Sequence, residues 1–205
     1  MRWRNLIIVL GAIAIGVLLA LLVPPSGLAQ RNAHSSHVGR YTLQTRDAAA
    51  AAFQSMTMVL RHPRCMNCHS TGDFPRQGDD EHRHIMSVRR GPDGHGIVAV
   101  KCSTCHQDHN SIGLHTPPGA PDWHLPSPQM PMIWEGLSDR QLCELFKDPK
   151  QNGGRTVDQI VEHMQTTLVL WGWHPGEGRT PIPIPQSEFL SEVKAWASNG
   201  AGCPK

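Results

Sequence analysis

Leucine, isoleucine, valine and phenylalanine number only thirty among the 176 residues from Gln30 to Lys205, about 17%, a share below which chains usually fail to enclose a core. Tyrosine occurs once in the whole chain, against 17 prolines and 19 glycines. Such a segment does not easily offset its chain entropy by burying its own side chains. It needs covalent staples or a large apolar group brought in from outside. The six cysteines and their spacing show which.

The compartment is written in the first thirty residues. Residues 1–5 form a short positive head, Leu6 to Val23 an uncharged apolar run, and 24–30 an exit of helix breakers and small residues. Head, run and exit make a secretory signal over 1–29, with Gly27 and Ala29 placed for cleavage before Gln30. The same run is just long enough to span a bilayer, so an uncleaved N-terminal anchor over residues 6–23 is the other reading. In both, the rest of the chain is expected outside the cytoplasm, which in a bacterium is the periplasm. Without Arg2 and Arg4 the exported part has seventeen basic residues against seventeen acids, a balance with no basic field for nucleic acid or anionic lipid.

Residues 30–44 read as a polar lead-in and 45–205 as one domain, mainly α with extensive loops. Alanine-rich 45–60 predicts a helix that stops where His62-Pro63 forbids continuation. Residues 61–136 are mostly loop. Helix starts follow at Ser138 and Thr156, each with a glutamine three residues on (Gln141, Gln159) to complete a capping box, and at Ser187, with an exit at Asn199-Gly200. No stretch alternates as a sheet would require.

Within the loop-rich segment stand "CMNCH", with Cys65, Cys68 and His69, and "CSTCH", with Cys102, Cys105 and His106. Two thiols at this spacing meet the two vinyl groups of a porphyrin, and the histidine after them presents an iron ligand on the same turn. A zinc ribbon would leave both histidines unexplained, and its usual gap is shorter than the 33 residues between the pairs. A thioredoxin-like pair belongs in a βαβ frame that does not appear. Two covalent haem c groups are therefore expected, and their apolar faces answer the shortage of core residues. Arg61, Arg64, Arg89 and Arg90 are candidates to meet the propionates. Cys143 and Cys203 remain; in an oxidising compartment a leftover pair is expected to form a bridge, here closing a 60-residue loop.

His69 and His106 are the expected proximal ligands. For the distal positions a weak repeat guides the choice: the motifs start 37 residues apart, His84 lies 15 residues after His69, and His124 lies 18 after His106. This points to His84 and His124, with His82 a near neighbour of the first. His62 either ligates or caps a propionate, and His163 shares a helix face with Ile160 and Met164. His109 follows His106 too closely to reach round the ring. The segment "QMPMIWEGLSD" resembles the closing segment of small single-haem cytochromes c, where a Met-Pro loop ligates iron; that resemblance implies Met130, with Met132 next in line, as the thioether alternative for the second haem, which would raise its potential.

The segments "RHPRCMNCHSTGDFPRQGDD", "RGPDGHG", "CSTCHQDHN", "PPGAPDWHLP", "WEGLSDRQLCELFKDPKQNGGRT" and "LVLWGWHPGEGR" together resemble the dihaem c-type cytochromes labelled as an isoquinoline 1-oxidoreductase subunit. The resemblance implies a cytochrome c-like dihaem domain, with short helices wrapped around two haems. It also implies a redox partner of the molybdenum hydroxylase type, whose iron–sulfur side would deliver electrons. Around "QMPMIWEGLSD" the chain is also similar to small single-haem cytochromes c, although the second motif lies closer upstream than in that fold. Two functions compete. One is an electron-transfer protein, not itself an enzyme, with two six-coordinate irons. The other is a haem enzyme with one open iron position, a peroxidase or small-oxyanion reductase. A purely structural secreted domain is the third class, and it would carry no haem.

Overall fold

Helix α1, Gly27–Leu60, supplies one wall of the core and runs far beyond the predicted 45–60. Residues 31–44 hold no proline and a single glycine, and the expected lead-in continues the helix although most of its residues are weak helix formers. The protein is described from a computed structural model over residues 27–205, with side chains from residue 42 on. The apolar run 6–23, with the expected signal or anchor, lies outside the described residues. Among the described residues no helix is long and apolar enough to cross a membrane. Contacts divide the chain after Leu43, and the core, both motifs and the disulfide belong to the unit from Gln44 to Lys205.

Along α1 the apolar positions Ala49, Ala52, Phe53, Met56, Val59 and Leu60 recur at helical spacing and are all buried. They share one cluster with helix α3, Asp139–Lys147, and helix α6, Gln186–Ser198. Its centre is aromatic: Phe53 meets Phe146 edge-on at 5.6 Å and Trp196 at 5.6 Å, and Trp134 meets Phe146 at 5.4 Å. Both predicted capping boxes form, Ser138–Gln141 on α3 and Thr156–Gln159 on helix α4, Val157–His163. Helix α4 stops at His163, with Met164 as its C-cap, and a separate turn of helix, α5, spans Thr167–Leu170. Cys143 and Cys203 are bridged, Cα to Cα 5.6 Å, as the leftover pair implied.

Between α3 and α4 the chain turns on buried Asn152. Its Nδ2 donates to the Phe146 and Arg155 carbonyls at 2.8 Å each, and its Oδ1 accepts from the Arg155 amide. Asn152→Ala strands these groups in the interior, and is expected to cost about 2 kcal/mol of stability. Urea unfolding with an unchanged m-value checks it.

The two motifs lie in residues 61–136. That segment holds only four buried apolar residues, Met66, Ala120, Leu125 and Trp134. Its regular structure is a single helical turn, α2 (Pro63–Met66), short 3₁₀ turns and two minimal hairpins. One hairpin pairs β1 (Arg76–Gln77) with β2 (His82–Arg83), and the other β3 (Gly96–Ile97) with β4 (Val100–Lys101). The deficit of core residues is thus local to the segment that carries both motifs.

Candidate functional site

The first motif begins on α2. His62 caps it, its Nδ1 accepting the Arg64 amide, and Pro63 takes the first helical position, where its missing N–H costs nothing. The second motif begins on a 3₁₀ turn over Cys102–Thr104, docked by Cys102 N–H to the His95 carbonyl. These two different starts end in the same local chemistry. His69 Nδ1 donates to the Met132 carbonyl at 2.9 Å, and His106 Nδ1 to the Pro118 carbonyl at 2.7 Å. A carbonyl only accepts, so each ring carries its proton on Nδ1 and leaves the Nε2 lone pair free to bind a metal. Each ring also lies parallel to an indole: His69 against Trp134 at 3.6 Å and 2°, His106 against Trp123 at 4.7 Å and 3°.

Each motif opens on a cavity. The larger, about 750 Å³, is lined by Cys102, Cys105, His106, His84, Ile85 and Val88 among others, a size and character usual for cofactor sites. Across it His84 faces His106, ring centres 6.1 Å apart and planes at 65°. Two imidazoles bound to one iron stand about 6 Å apart, allowing about 2 Å to each nitrogen and about 1.1 Å on to each ring centre. His84 Nδ1 donates to the Ile85 carbonyl, so its Nε2 is also free. The repeat had paired His84 with His69; in the structure the ring near His84 is that of His106. β1–β2 turns the chain so that His84 follows it out, with its amide on the Pro75 carbonyl, and β3–β4 brings Cys102 back.

The second cavity is lined by Cys65, Cys68, His69 and His163, with Leu145, Ile160 and Val169. Its enclosed volume, about 130 Å³, is smaller than a porphyrin, so the fit here rests on the donor set and the apolar lining. Burial pushes His69 down to about 4, with the charges of His163 and Arg90 adding to it. Burial also pushes His163 down to about 4, aided by Arg155 and His124. Both imidazoles are therefore neutral at pH 7 and able to donate a lone pair.

The remaining candidate ligands are placed as follows. His124 lines both cavities, but its Nδ1 is tied to the Asp122 carbonyl and its ring lies 5.0 Å from that of His95. Met130 and His62 line neither cavity; the Met130 sulfur accepts the Gly153 amide. Met132 lines the first-motif cavity and gives its carbonyl to His69 Nδ1. His82 is bonded to Asp80.

Burial holds the Cys65 and Cys68 thiols in the protonated form. Burial raises Cys65 to about 12, reinforced by Cys68, and raises Cys68 to about 11 against the opposing charge of Arg90. Redox-active pairs have depressed pKa values, the reverse of this. Nor do the four thiols converge as a zinc tetrahedron; the one group of three or more clustered potential ligands among the described residues is His95, Asp122 and His124.

Two buried donors on the cavity walls lack a protein acceptor: Arg64 Nε, whose residue lines both cavities, and Trp134 Nε1 beside His69. Each would be satisfied by an anionic or polar edge of an occupant. Of the four arginines expected to serve in this way, Arg61 is engaged by the Trp134 and Leu137 carbonyls and Asp139, and Arg89 by Asp73. Arg90 bonds the Pro126 and Gly72 carbonyls. Arg64 reaches Asp79 and the Gly78 carbonyl, and its Nε is buried without a partner. Arg155 and Arg179, which the sequence reading passed over, also line the cavities. Arg64, Cys68, Trp123, His124 and Trp171 line both cavities, which are thus separated by a wall one side chain thick.

No protein-family model, curated protein or solved structure matches this chain.

Proposed function

We propose that the protein is an exported dihaem c-type cytochrome of cytochrome c-like, haem-wrapped fold that carries single electrons. The observation that supports this most directly is the pair His84 and His106, facing each other at 6.1 Å across an apolar cavity directly after a CxxCH sequence. Haem c, when bound, supplies a one-electron iron couple whose potential is set by its axial ligands and burial. The chain does the rest. Cys65 and Cys68 anchor one ring, and Cys102 and Cys105 the other. His106 and His84 ligate the second iron; His69 and His163 ligate the first. The Met132 and Pro118 carbonyls hold the Nδ1 protons and so fix both proximal tautomers, a device that also raises ligand basicity. Trp134 and Trp123 hold the ring planes, and Arg64 Nε meets a propionate.

The shared wall lets charge pass between the two sites without leaving the protein. Ile85 and Met86 line the larger cavity and are mostly solvent-exposed, giving the second site an apolar rim at the surface where a redox partner can approach. Following the resemblance, that partner is a dehydrogenase of the molybdenum hydroxylase type, and the electrons go on towards the respiratory chain from the periplasm. The Cys143–Cys203 bridge fits that oxidising compartment.

Expression of the full chain in a host competent for cytochrome c assembly tests the reading. Two haems per chain by mass and pyridine haemochrome are expected, both low-spin at rest. A mature chain of apoprotein mass overturns it. A persistent high-spin signal on one iron, with turnover of peroxide or nitrite, would assign the enzyme class instead.

A further inference from the structure

We propose that His95, Asp122 and His124 form a binding site for a divalent transition-metal ion of the zinc or copper kind, distinct from the two motif histidines although His124 also lines both cavities. One imidazole nitrogen from each histidine and a carboxylate oxygen of Asp122 lie within 4.8 Å of one another. His95 Nε2 already meets Asp122 Oδ1 at 2.9 Å, and His124 Nδ1 lies 3.4 Å from Asp122 Oδ2. The first contact rests on a shared proton whose place a cation can take; His124 Nδ1 is bonded to the Asp122 backbone carbonyl, so its Nε2 is the nitrogen free to bind an ion. Ligand atoms in a tetrahedral site are about 3.3 Å apart, a closure that side-chain rotation supplies. The side chains are accessible, Asp122 71%, His95 43% and His124 33%, so an ion has a path in.

Two segments distant in sequence are clamped together to make the cluster. The Leu125 amide donates to the Gly94 carbonyl at 2.9 Å. Only glycine permits that approach, since a Cβ at Gly94 would stand 2.1 Å from the Leu125 carbonyl oxygen. On the far side of His95, the Asp93 carboxylate accepts the His95 amide and lies 3.7 Å from Nδ1. That carboxylate fixes the His95 backbone and adds negative charge beside the ring. Asp93 and Asp122 against Lys101, 4.0 Å from Asp93, leave the cluster net negative when the histidines are neutral. Two imidazoles and one carboxylate favour zinc or copper over magnesium or calcium, with a fourth position left to water.

The test uses the full haem-loaded chain after treatment with a chelator. Zinc titrated by calorimetry is expected to bind one equivalent per chain. His95→Ala and Asp122→Asn should each weaken that affinity at least tenfold. Cu²⁺ bound at one equivalent should show EPR superhyperfine structure from two nitrogens, falling to one in His95→Ala. His95 lines neither cavity, so haem content and spin state should not change in that variant. The isosteric Asp122→Asn keeps the measurement valid if His95→Ala folds poorly. Absence of stoichiometric binding overturns the proposal. So does binding equal to wild type in both variants, which would assign the ion to another of the 13 histidines.

Discussion

In a chain that keeps only the second motif, made by Cys65→Ser with Cys68→Ser, replacing His84 by alanine is expected to turn the haem spectrum from low-spin to largely high-spin. In a chain that keeps only the first motif, made by Cys102→Ser with Cys105→Ser, the same replacement should leave the spectrum unchanged, and His163→Ala should produce the conversion. The crossing follows from geometry. His84 stands 6.1 Å from His106, whereas the buried imidazole that shares a cavity with His69 is His163, 94 residues further along the chain. On the proposed dihaem reading, removing a distal imidazole would leave that iron with one protein ligand, a change to be read in the charge-transfer bands and in EPR. Conversion by His84→Ala in the chain that keeps only the first motif would return the assignment to sequence order and refute the reading of the hairpins.

That prediction marks where the sequence stopped being legible. Local signals were read correctly because their physics is local. Ser138 with Gln141 and Thr156 with Gln159 cap helices through bonds spanning three residues. His62-Pro63 ends α1 because proline restricts the residue before it. The disulfide followed from counting cysteines once two pairs had another use. Distal partners depend on how 61–136 folds back on itself, and that segment has no hydrophobic period from which a path can be drawn. The one available sign was "QGDDE", residues 77–81, a run of turn-forming residues that closes β1–β2 and carries His84 away from the first motif. His163 was visible on the face of Ile160 and Met164, both buried, but nothing local separates a ligand there from a packed polar residue. The stacking of Trp123 and Trp134 on the two motif histidines had no sequence signal, since it joins residues 17 and 65 positions apart.

Removal of the disulfide by Cys143→Ala with Cys203→Ala is expected to lower stability by about 4 kcal/mol, the chain-entropy value for a 60-residue loop. In a unit of this size that corresponds to a fall in melting temperature of about 10 °C. The loss should not fall evenly on the two sites. The loop from Cys143 to Cys203 contains α4, α5 and α6, and with them His163 and Ile160 of the first-motif cavity. His84, His106 and both hairpins lie outside it. Opening of the loop therefore releases the His163 side before it disturbs the His84–His106 pair, since local unfolding follows the least-restrained segment. In guanidinium, followed in the two single-motif backgrounds, the first-motif haem should lose its low-spin signature at markedly lower denaturant once the bridge is removed. The second-motif haem should shift less. Equal shifts at both sites would mean that the core of α1, α3 and α6 unfolds as one body with the loops, and that the bridge acts on the whole unit rather than on the His163 side.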